Sequence, residues 1–474
     1  MSRQLPQGFI DLLSSYGRPD LTNPLLSALS DTEASISVRL NRRKNITFAI
    51  DGERVPWLAD SGMYLDTRPN FALDPAWHQG LYYVQDASSM AMTAAVREVV
   101  ERFFDNKPLR YLDACAAPGG KSIAAAEALP AGSCILSNEY DPKRASILAE
   151  NIAKYGMANT AVSQGDTSAL ARLGEVFDIV AVDAPCSGEG MMRKEPDAIA
   201  QWSPGLIESC ARLQREILAN CWKALRPGGV MIYSTCTFNK SEDESNLDFI
   251  INDLGGESVD LSLAKYPGVI CGLDTGSHCY RFMPGHVRGE GLFIAAVRKA
   301  DGPASTVKAK KAAAVKAPDV EVLTHRLIKG NEEYSLRQDK SGLYYAIPAK
   351  DSAFFDLVAD KLRLISCGLP ICTRKGKDLI PAWQLALNEH FDITALPTLP
   401  LDRSEALRYL HGESLASVPD DLPKGIATAT YCGRPLGFIK NIGRRANNLY
   451  PDALRLRLDP AKGIDNNYLS IVKP

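Results

Sequence analysis

Two cysteines of this sequence stand directly behind apolar, strand-like segments and are surrounded by small polar residues. Cys186 lies in the stretch VDAPCSGEGMMRKEP (182–196) and Cys236 in the stretch YSTCTFNKSEDE (233–244). Thiolate chemistry needs partial exposure and a polar surround, whereas an apolar side chain would gain little from burial in such loops. Asp183 ends its strand three residues before Cys186. The pattern predicts two reactive thiols and a carboxylate within reach of one substrate.

A glycine-containing loop earlier in the chain has the composition of a ligand-binding turn. The segment DACAAPGGKS (113–122) joins a predicted strand to a predicted helix. Gly119 and Gly120 allow the backbone to approach a ligand closely, and the free N–H groups at a helix start favour an anionic group. The spacing is neither GxGxxG nor GxxxxGK[ST], which argues against the usual nicotinamide and P-loop sites.

Acidic residues at two further strand ends complete a predicted pocket. Glu139 lies 26 residues after Asp113, at the position where dinucleotide folds bind ribose hydroxyls. Asp166 closes the third strand, where an adenine amino group could be bound, although a strand-end Asp is as often a helix cap. With the glycine loop, these acids predict a nucleoside-containing cofactor.

These residues require a scaffold that brings several strand ends together. Between residues 109 and 236, short segments rich in Val, Ile and Leu alternate with helical segments of about 10 to 20 residues. This alternation predicts a parallel sheet that is buried on both faces and binds ligands at the carboxyl ends of its strands. The expected fold class is α/β, with a doubly wound, Rossmann-like domain at its centre.

The bulk composition is that of a globular protein of more than one domain. The chain has 474 residues, 45% of them hydrophobic, and a net charge of −2. No apolar run approaches the roughly 20 residues of a membrane span and no export signal is evident, so we expect a cytoplasmic protein without a membrane partner. The eleven cysteines never form CxxC pairs, which favours reduced thiols and predicts no metal site.

A basic stretch near the end of the chain is a candidate surface for a polyanion. Residues 424–457 contain seven Lys or Arg and a single Asp, with Tyr431, Phe438 and Tyr450 between them. Such a local patch predicts nucleic-acid binding, and the alternative is a solvated basic face above core aromatic residues. The segment YCGRPLGFIK (431–440) alternates about a turn, which predicts a β-hairpin.

Four motifs, in this order and spacing, resemble the NOL1/NOP2/Sun family of RNA (cytosine-5)-methyltransferases, and within it the bacterial RsmF-type enzymes of 16S ribosomal RNA. Further similar segments extend the resemblance over nearly the whole chain. The four motifs are DACAAPGGKS, NEYDPKRASIL (138–148), VDAPCSGEGMMRKEP and YSTCTFNKSEDE. The further segments are SISVRLNRRK (35–44), GLYYVQDASSM (80–90), RFMPGHVRGEGLFIAAVRK (281–299) and the basic stretch.

The resemblance implies methyl transfer from S-adenosylmethionine to carbon 5 of cytosine. That carbon is a poor nucleophile, and thiolate addition at carbon 6 converts the ring into an enamine that can accept a methyl group. By the family's pattern Cys236 is the nucleophile and Cys186 assists release, although spacing alone leaves open which thiol attacks. Asp183 is expected to hold a proton at ring nitrogen 3 and to contact the cofactor. The implied cofactor-binding residues are Cys115, Ala116, Ala117, Pro118, Gly119, Gly120, Lys121, Glu139, Asp166 and Asp183.

The resemblance also implies RNA as the partner, either 16S ribosomal RNA or the small ribosomal subunit, and we expect a monomer. Arg144, Arg193 and Lys194 follow strand ends and are candidates for phosphate contacts, with a solvated surface as an equal alternative. The predicted RNA-binding residues are Arg39, Arg144, Lys194, Lys440, Arg444 and Arg445.

Composition and resemblance together divide the chain into five parts. Residues 299–318 are rich in Ala, Lys and turn formers and lack an apolar period, which predicts a linker. The expected parts are an N-terminal RNA-binding α/β extension (1–75), the methyltransferase core (76–298), the linker (299–318), a C-terminal α/β module (319–395) and a β-rich, PUA-like RNA-binding module (396–474).

Three alternatives remain on sequence grounds. The same chemistry could act on transfer RNA, and Glu290 and Leu292 depart from the usual pattern of the last hairpin, which leaves the target nucleotide open. A non-catalytic RNA-binding ribosome-assembly factor should have lost a thiol or the glycine loop, and this chain has both. A DNA (cytosine-5)-methyltransferase would need Cys186 alone and a large target-recognition insertion, and neither is seen.

Overall fold

The computed structural model describes residues 4–31, 33–305, 307–310, 314–330, 333–415, 418–460 and 470–473. Residues 306 and 311–313 of the predicted linker therefore lie outside the described residues. Within the described ranges, no helix is long and apolar enough to cross a membrane. The same ranges contain no group of three or more His, Cys, Asp or Glu placed to hold a metal ion.

The N-terminal part of the chain combines short helices with a small antiparallel sheet. In this sheet β1 lies between β3 and β4. Because β4 follows residue 75, the sheet extends past the boundary expected from the sequence. The elements are α1 (Gln7–Ser14), α2 (Pro19–Asp31), β1 (Ile36–Leu40), β2 (Thr47–Phe48), β3 (Gly62–Leu65), α3 (Pro75–His78) and β4 (Tyr82–Val84).

The central part contains the predicted parallel sheet. Five parallel strands have the order β9-β8-β5-β6-β7, and the antiparallel strands β13, β12 and β11 continue the sheet beyond β9. β10 pairs with β13. The elements are α4 (Ala91–Phe103), β5 (Arg110–Asp113), α5 (Gly120–Ala128), β6 (Cys134–Glu139), α6 (Pro142–Tyr155), β7 (Thr160–Gln164), α7 (Thr167–Leu170), β8 (Phe177–Asp183), α8 (Pro196–Gln201), α9 (Pro204–Trp222), β9 (Leu225–Thr235), α10 (Glu244–Asn252), β10 (Gly256–Val259), β11 (Ile270–Cys271), β12 (Cys279–Phe282) and β13 (Leu292–Lys299).

The strands of this sheet are apolar throughout because both of its faces are buried. Successive residues of a strand point to opposite faces. Tyr111 and Ile179 pack with residues of α4, α5 and α6. Leu112 and Val180 pack on the other face with residues of α9 and α10. The doubly wound α/β fold predicted from the sequence is confirmed.

The direction of winding reverses at β5, which pairs with β6 on one side and with β8 on the other. The loop that follows Asp113 and the loop that follows Asp183 therefore separate at this point. Open α/β sheets bind ligands in the crevice formed where such loops part. Both predicted chemical centres, the glycine loop and the Cys186 loop, lie at this crevice.

The next module shares its core with the central domain. β16 pairs antiparallel with β7 and so extends the central sheet, and Phe354 of α12 contacts Phe177 of β8 edge to face. The other strands form a separate antiparallel sheet of order β14-β15-β17-β18. The elements are α11 (Pro318–Leu327), β14 (Tyr334–Gln338), β15 (Leu343–Pro348), α12 (Ser352–Lys361), β16 (Leu364–Cys367), β17 (Leu369–Lys375), β18 (Asp378–Pro381) and α13 (Trp383–Leu387).

The C-terminal part is a small sheet of order β19-β20-β21-β22. β20 and β21 form the hairpin predicted from the sequence, and it turns at Cys432 (φ +48°) and Gly433 (φ +73°). Two consecutive positive φ angles are typical of the tight turns that match strand twist. The elements are β19 (Thr398–Leu401), α14 (Arg403–His411), β20 (Gly425–Tyr431), β21 (Arg434–Asn441), β22 (Ala446–Asn448) and β23 (Val472–Lys473), of which β23 pairs with β2.

Candidate active site

The glycine loop turns sharply into α5 at the crevice. Gly119 has a φ of +111°, a conformation that L side chains rarely adopt. Gly120 begins α5, and a Cβ added there would lie 3.1 Å from Nε2 of Gln85. That amide nitrogen donates to the carbonyl of Gly120 at 3.0 Å. The loop is therefore held from the side of the N-terminal sheet.

Arg39 lies beneath this loop and is fully buried. Its guanidinium donates to Oε1 of Gln85 at 3.0 Å and to Oγ1 of Thr93 at 2.9 Å, and it forms an ion pair with buried Glu127. The prediction that Arg39 contacts RNA is wrong, because none of its surface is exposed. Arg39 instead orients Gln85, and through it the glycine loop.

Asp113, at the end of β5, is a buried carboxyl group beneath the same loop. Its Oδ2 accepts a hydrogen bond of 2.7 Å from the hydroxyl of Ser122, which lies 2.9 Å from the hydroxyl of Ser137. Oδ1 has no hydrogen-bond partner among the described residues. Burial, assisted by the nearby charge of Asp183, raises the pKa of Asp113 to about 7.

We expect Asp113→Asn to change how stability depends on pH. An unfolded Asp has a pKa of about 3.9, so the folded chain binds this proton more tightly and its stability falls as pH rises from about 4 to about 7. Relative to the wild type, the free energy of unfolding of the variant should rise by up to about 4 kcal/mol between pH 4 and pH 8. Urea unfolding at several pH values measures this difference. Exposed Asp51→Asn is the matched control, and parallel curves for Asp113→Asn and the wild type would contradict the prediction.

Two acids frame the part of the crevice beside β6 and β7. Glu139 is buried, and its Oε2 and Oε1 accept hydrogen bonds from the backbone N–H groups of Ala117 at 3.3 Å and Asp141 at 3.0 Å. Asp166 is exposed at the end of β7 and caps α7 by accepting from the N–H of Ser168 at 2.8 Å. The capping alternative for Asp166 is thus present in the structure.

Tyr140 and Arg144 follow β6 and lie beside Glu139 in this part of the crevice. Tyr140 is 72% exposed directly behind Glu139. Sequence reasoning missed it, although an aromatic residue behind a strand-end acid was a visible signal. Arg144 donates from Nη2 to the carbonyl of Ala117 at 2.8 Å, and 57% of its side chain is exposed. Arg144 therefore supports the glycine loop and stays accessible to an anionic partner.

Lys121 reaches across the crevice to Asp183. Its Nζ lies 2.8 Å from Oδ2 of Asp183, while the hydroxyl of Ser234, on the neighbouring strand, donates to Oδ1 at 2.9 Å. Burial alone would lower the pKa of Lys121, but the charge of Asp183, assisted by Cys236, holds it above its ordinary value. The lysine is therefore a stable cation between the carboxylate and the second cysteine.

The two cysteines predicted from the sequence meet at the carboxyl ends of β8 and β9. The Sγ atoms of Cys186 and Cys236 are 3.2 Å apart, and both residues are half-buried. The hydrogen bond to Cys236, followed by burial, raises the pKa of Cys186 well above its ordinary value. Cys186 therefore holds its proton more tightly than a free thiol does, and either sulfur can be the donor in this hydrogen bond. A thiol that donates in this way stabilises negative charge on the other sulfur.

Other cysteines near the site are set in unreactive surroundings. Burial raises the pKa of Cys115, in the glycine loop, and that of Cys221, on α9, well above the ordinary thiol value. Cys221 packs in the core between α9 and the sheet. Buried thiols of this kind behave as small hydrophobic side chains.

The cations that follow Cys186 differ in accessibility. Arg193 is buried and donates from Nε and Nη2 to the two carboxylate oxygens of Glu290, at 2.8 and 2.7 Å. Of the two alternatives for Arg193, neither the phosphate contact nor the solvated surface is seen, because the residue is buried. Its partner is the acid that departs from the usual hairpin pattern. Lys194 is exposed, on the wall of a cleft of about 1210 Å³ between the N-terminal sheet and the core.

The basic stretch combines exposed cations with aromatic residues of different burial. Arg444 and Arg445 are exposed in the turn between β21 and β22. Lys440 is paired with Asp378 at 2.5 Å. Phe438 and Tyr450 are buried in the core, as the solvated-face alternative expected. Arg444 and Arg445 therefore offer charge to a partner, and Tyr431, half-buried, keeps part of its ring at the surface.

Family models match three parts of the chain. A model described as 16S rRNA methyltransferase RsmB/F matches residues 105–298. The N-terminal domain of 16S rRNA methyltransferase RsmF matches residues 5–87, and the methyltransferase RsmF PUA domain matches residues 396–456.

Curated relatives extend the match to nearly the full length. Ribosomal RNA small subunit methyltransferase F of Serratia proteamaculans is 31% identical over 476 residues, which cover 95% of this chain and 96% of that protein. The chain belongs to the RsmF family of 16S ribosomal RNA methyltransferases. The protein of the same description from Shewanella amazonensis is 29% identical over 477 residues, or 94% of this chain and 97% of that protein.

A solved structure agrees with the fold of this RsmF-family chain. The crystal structure of NSun6 from Pyrococcus horikoshii with SFG has a TM-score of 0.51 and 22% identity, and the match covers 63% of this chain and 99% of that one. At this identity the likeness concerns the fold. The RsmF family supplies the reaction class, methyl transfer to 16S ribosomal RNA.

Proposed function

We propose that this RsmF-family enzyme transfers a methyl group from S-adenosylmethionine to carbon 5 of a cytosine in 16S ribosomal RNA, through a covalent bond between Cys236 and carbon 6. The observation that carries the proposal is the pair of half-buried sulfurs 3.2 Å apart beside the Lys121–Asp183 ion pair. A single thiol suffices to add to carbon 6 of the cytosine. A second thiol at this distance is useful in a reaction in which the bond between sulfur and carbon 6 must also be broken.

Addition of Cys236 to the ring places negative charge on the pyrimidine. Asp183 is fixed by Lys121 and Ser234 at the neighbouring strand end, and Lys121 remains a cation beside it. The proton that the Cys236 thiol gives up on attack can pass through Asp183 to the ring. We assign this unit the task of holding a proton at ring nitrogen 3 while the charge develops. The target base must leave its stack to reach these groups at the base of the crevice.

The pocket beside the thiols fits S-adenosylmethionine, which supplies the methyl group on its sulfonium. The loop turns at the crevice through Gly119, whose φ of +111° favours glycine. One oxygen of Asp113 has no hydrogen-bond partner among the described residues, and Glu139 and Asp166 lie at the next two strand ends. In this assignment Glu139 binds the ribose hydroxyls, Asp166 faces the adenine, and residues 115–121 contact the rest of the molecule. NSun6 from Pyrococcus horikoshii, which shares this fold, was solved with SFG, in keeping with a small-molecule ligand for this fold.

After methyl transfer the proton on carbon 5 passes to solvent, which reaches the half-buried thiols. The electron pair of that bond re-forms the double bond between carbons 5 and 6, and the sulfur of Cys236 leaves as a thiolate. Cys186 faces that sulfur and retains its proton, because the hydrogen bond to Cys236 raises its pKa. A hydrogen bond from Cys186 stabilises the thiolate as it departs. We therefore assign nucleophilic attack to Cys236 and assistance in release to Cys186.

The direct test is to incubate the protein with labelled S-adenosylmethionine and three unmodified substrates: 16S RNA, small ribosomal subunits and transfer RNA. Mapping of 5-methylcytosine in each should find it in 16S RNA or the subunits and not in transfer RNA. Methylation of transfer RNA alone would show that the enzyme performs the same chemistry on transfer RNA instead. Tight RNA binding without methyl transfer would favour the assembly-factor alternative.

We expect Arg444→Ala/Arg445→Ala to weaken binding of 16S RNA by about 10-fold at low salt and to reduce the salt-dependence slope by about 2, because each exposed cation releases counterions on binding. Fluorescence polarisation measures both quantities. Lys107→Ala/Lys223→Ala is the matched control. Both lysines are exposed and precede β5 and β9, at the amino ends of the parallel strands, whereas the crevice lies at their carboxyl ends. Equal losses in the two double variants would show general charge effects in place of a defined RNA surface.

A further inference from the structure

Two glutamates behind the cysteine loops are fully buried without a cationic partner. Glu189 lies in the loop after β8, and Glu242 lies in the loop after β9. Neither forms an ion pair with a lysine or arginine that the structure describes; their partners are neutral N–H and O–H donors. Neither residue belongs to the reaction as derived above.

Glu189 belongs to the loop that contains Cys186, and its side chain contacts the loop that contains Cys236. Its Oε2 accepts from the hydroxyl of Thr237 at 2.6 Å and from the N–H of Phe238 at 2.7 Å, the two residues that follow Cys236. Its Oε1 accepts from Nε1 of Trp202 at 3.0 Å and from the side-chain amide of Asn239 at 3.2 Å.

Glu242 makes the reciprocal connection. It follows Cys236 in the chain, and its Oε2 accepts from the N–H of Ser187, the residue directly after Cys186, at 3.0 Å. The same oxygen accepts from Gln214 at 2.7 Å, and Oε1 accepts from Asn239 at 2.7 Å. Asn239 thus donates to both glutamates.

We propose that Glu189 and Glu242 are positioning residues that fix the distance and orientation of the two sulfurs relative to each other, an inference that rests on the proposed function. Each glutamate belongs to one cysteine loop, and its carboxylate accepts a hydrogen bond from the residue next to the cysteine of the other loop. The two connections cross, so a shift of either loop would break hydrogen bonds in both. The hydrogen bond from the N–H of Gly190 to the carbonyl of Cys236 at 2.8 Å joins the loops along the same line.

The energetics favour a role in geometry over a role in stability. A carboxylate buried without a cation costs free energy that hydrogen bonds offset only in part, and apolar residues of similar size commonly fill such sites at lower cost. Burial raises the pKa of Glu242, in keeping with this cost. Catalytic groups, however, tolerate displacements of only a fraction of an ångström. A crossed pair of carboxylates supplies that restraint directly at the thiols.

The test uses the full-length Glu189→Gln and Glu242→Gln variants. Glutamine keeps the shape but presents an NH₂ group to donors, so each variant loses part of its connection. We expect kcat for methyl transfer to fall by about 10- to 100-fold, while KM for RNA and Kd for S-adenosylmethionine change by less than about 3-fold. RNA that contains 5-fluorocytidine at the target counts the competent sites, because fluorine on carbon 5 prevents elimination and leaves the adduct in place.

The count of adducts separates positioning from mere folding. In a positioning role the final amount of adduct per protein stays near that of the wild type and forms more slowly. A loss in the final amount, with an unchanged rate per competent site, would overturn the proposal. Asp178→Asn is the control, since Asp178 is a carboxylate of β8 bonded to Arg226 and to the N–H of Arg110 at the far end of the strand; its rate per site should stay unchanged. Failure of the wild type to form any adduct would overturn the proposed function, and the positioning role with it.

Discussion

We expect replacement of Cys236 by alanine to lower the rate of methyl transfer to 16S RNA by about 10⁴-fold or more. Without the sulfur, carbon 5 of cytosine has no enamine from which to attack the methyl group, and the hydrogen bond from Cys186 has no acceptor at this position. Binding should survive, because Cys236 supplies neither the glycine loop nor the exposed arginines. Methyl transfer from labelled S-adenosylmethionine, with binding of donor and RNA measured separately, checks both expectations.

Two further variants make this result specific to the sulfur. Cys236→Ser keeps the size and the polarity of the side chain but has a much weaker nucleophile, so it should be as inactive as Cys236→Ala. Cys271→Ala removes an exposed thiol on β11, the outermost strand of the central sheet, and should retain full activity. Retention of activity by Cys236→Ala would show that the attacking group is another one, and the assigned roles of both thiols would be lost.

The sequence predicted those features of the molecule that depend on local pattern. Continuous apolar segments between helical ones indicated the doubly wound sheet, and residues at the ends of such segments necessarily share one edge. For this reason Cys186, Cys236 and Asp183 could be placed together before their distances were known. The β20–β21 hairpin was visible because its alternation and its turn lie within a few residues of each other.

The predictions that failed concern charged residues whose partners are distant in the chain. Arg39 pairs with Glu127 across 88 positions, and Arg193 pairs with Glu290 across 97 positions. A basic residue near a strand end has the same local pattern whether it meets a phosphate or a buried carboxylate. Only the packing of the N-terminal sheet and the last hairpin on the core distinguishes the two cases.

Long-range pairing limited the domain description in the same way. The module expected at residues 319–395 contributes β16 to the edge of the central sheet beside β7. Nothing in the composition of Leu364–Cys367 distinguishes a strand of its own module from a strand added to another sheet. The crossed connections of Glu189 and Glu242 were equally invisible, since acids in polar loops normally indicate solvent exposure.

Replacing Cys186 by alanine should trap the enzyme on its RNA. Cys186 faces the sulfur of Cys236 at 3.2 Å and remains protonated, so its loss leaves attack possible and removes the hydrogen bond that stabilises the departing thiolate. We expect a covalent protein–RNA complex that resists denaturing electrophoresis, in an amount that approaches one RNA per protein. Turnover should fall by at least about 100-fold, and mass spectrometry of the digested complex should locate the link at Cys236.

The trapped complex also decides the order of events. If Cys236 attacks and Cys186 acts only in release, the RNA in the complex already carries the labelled methyl group, and the double variant Cys186→Ala/Cys236→Ala forms no complex. If Cys186 were the nucleophile, its alanine variant would form no adduct and Cys236→Ala would accumulate one instead. The two assignments therefore exchange the phenotypes of the two variants. Because the two sulfurs are only 3.2 Å apart, this exchange of phenotypes distinguishes the nucleophile from its helper more directly than rates do.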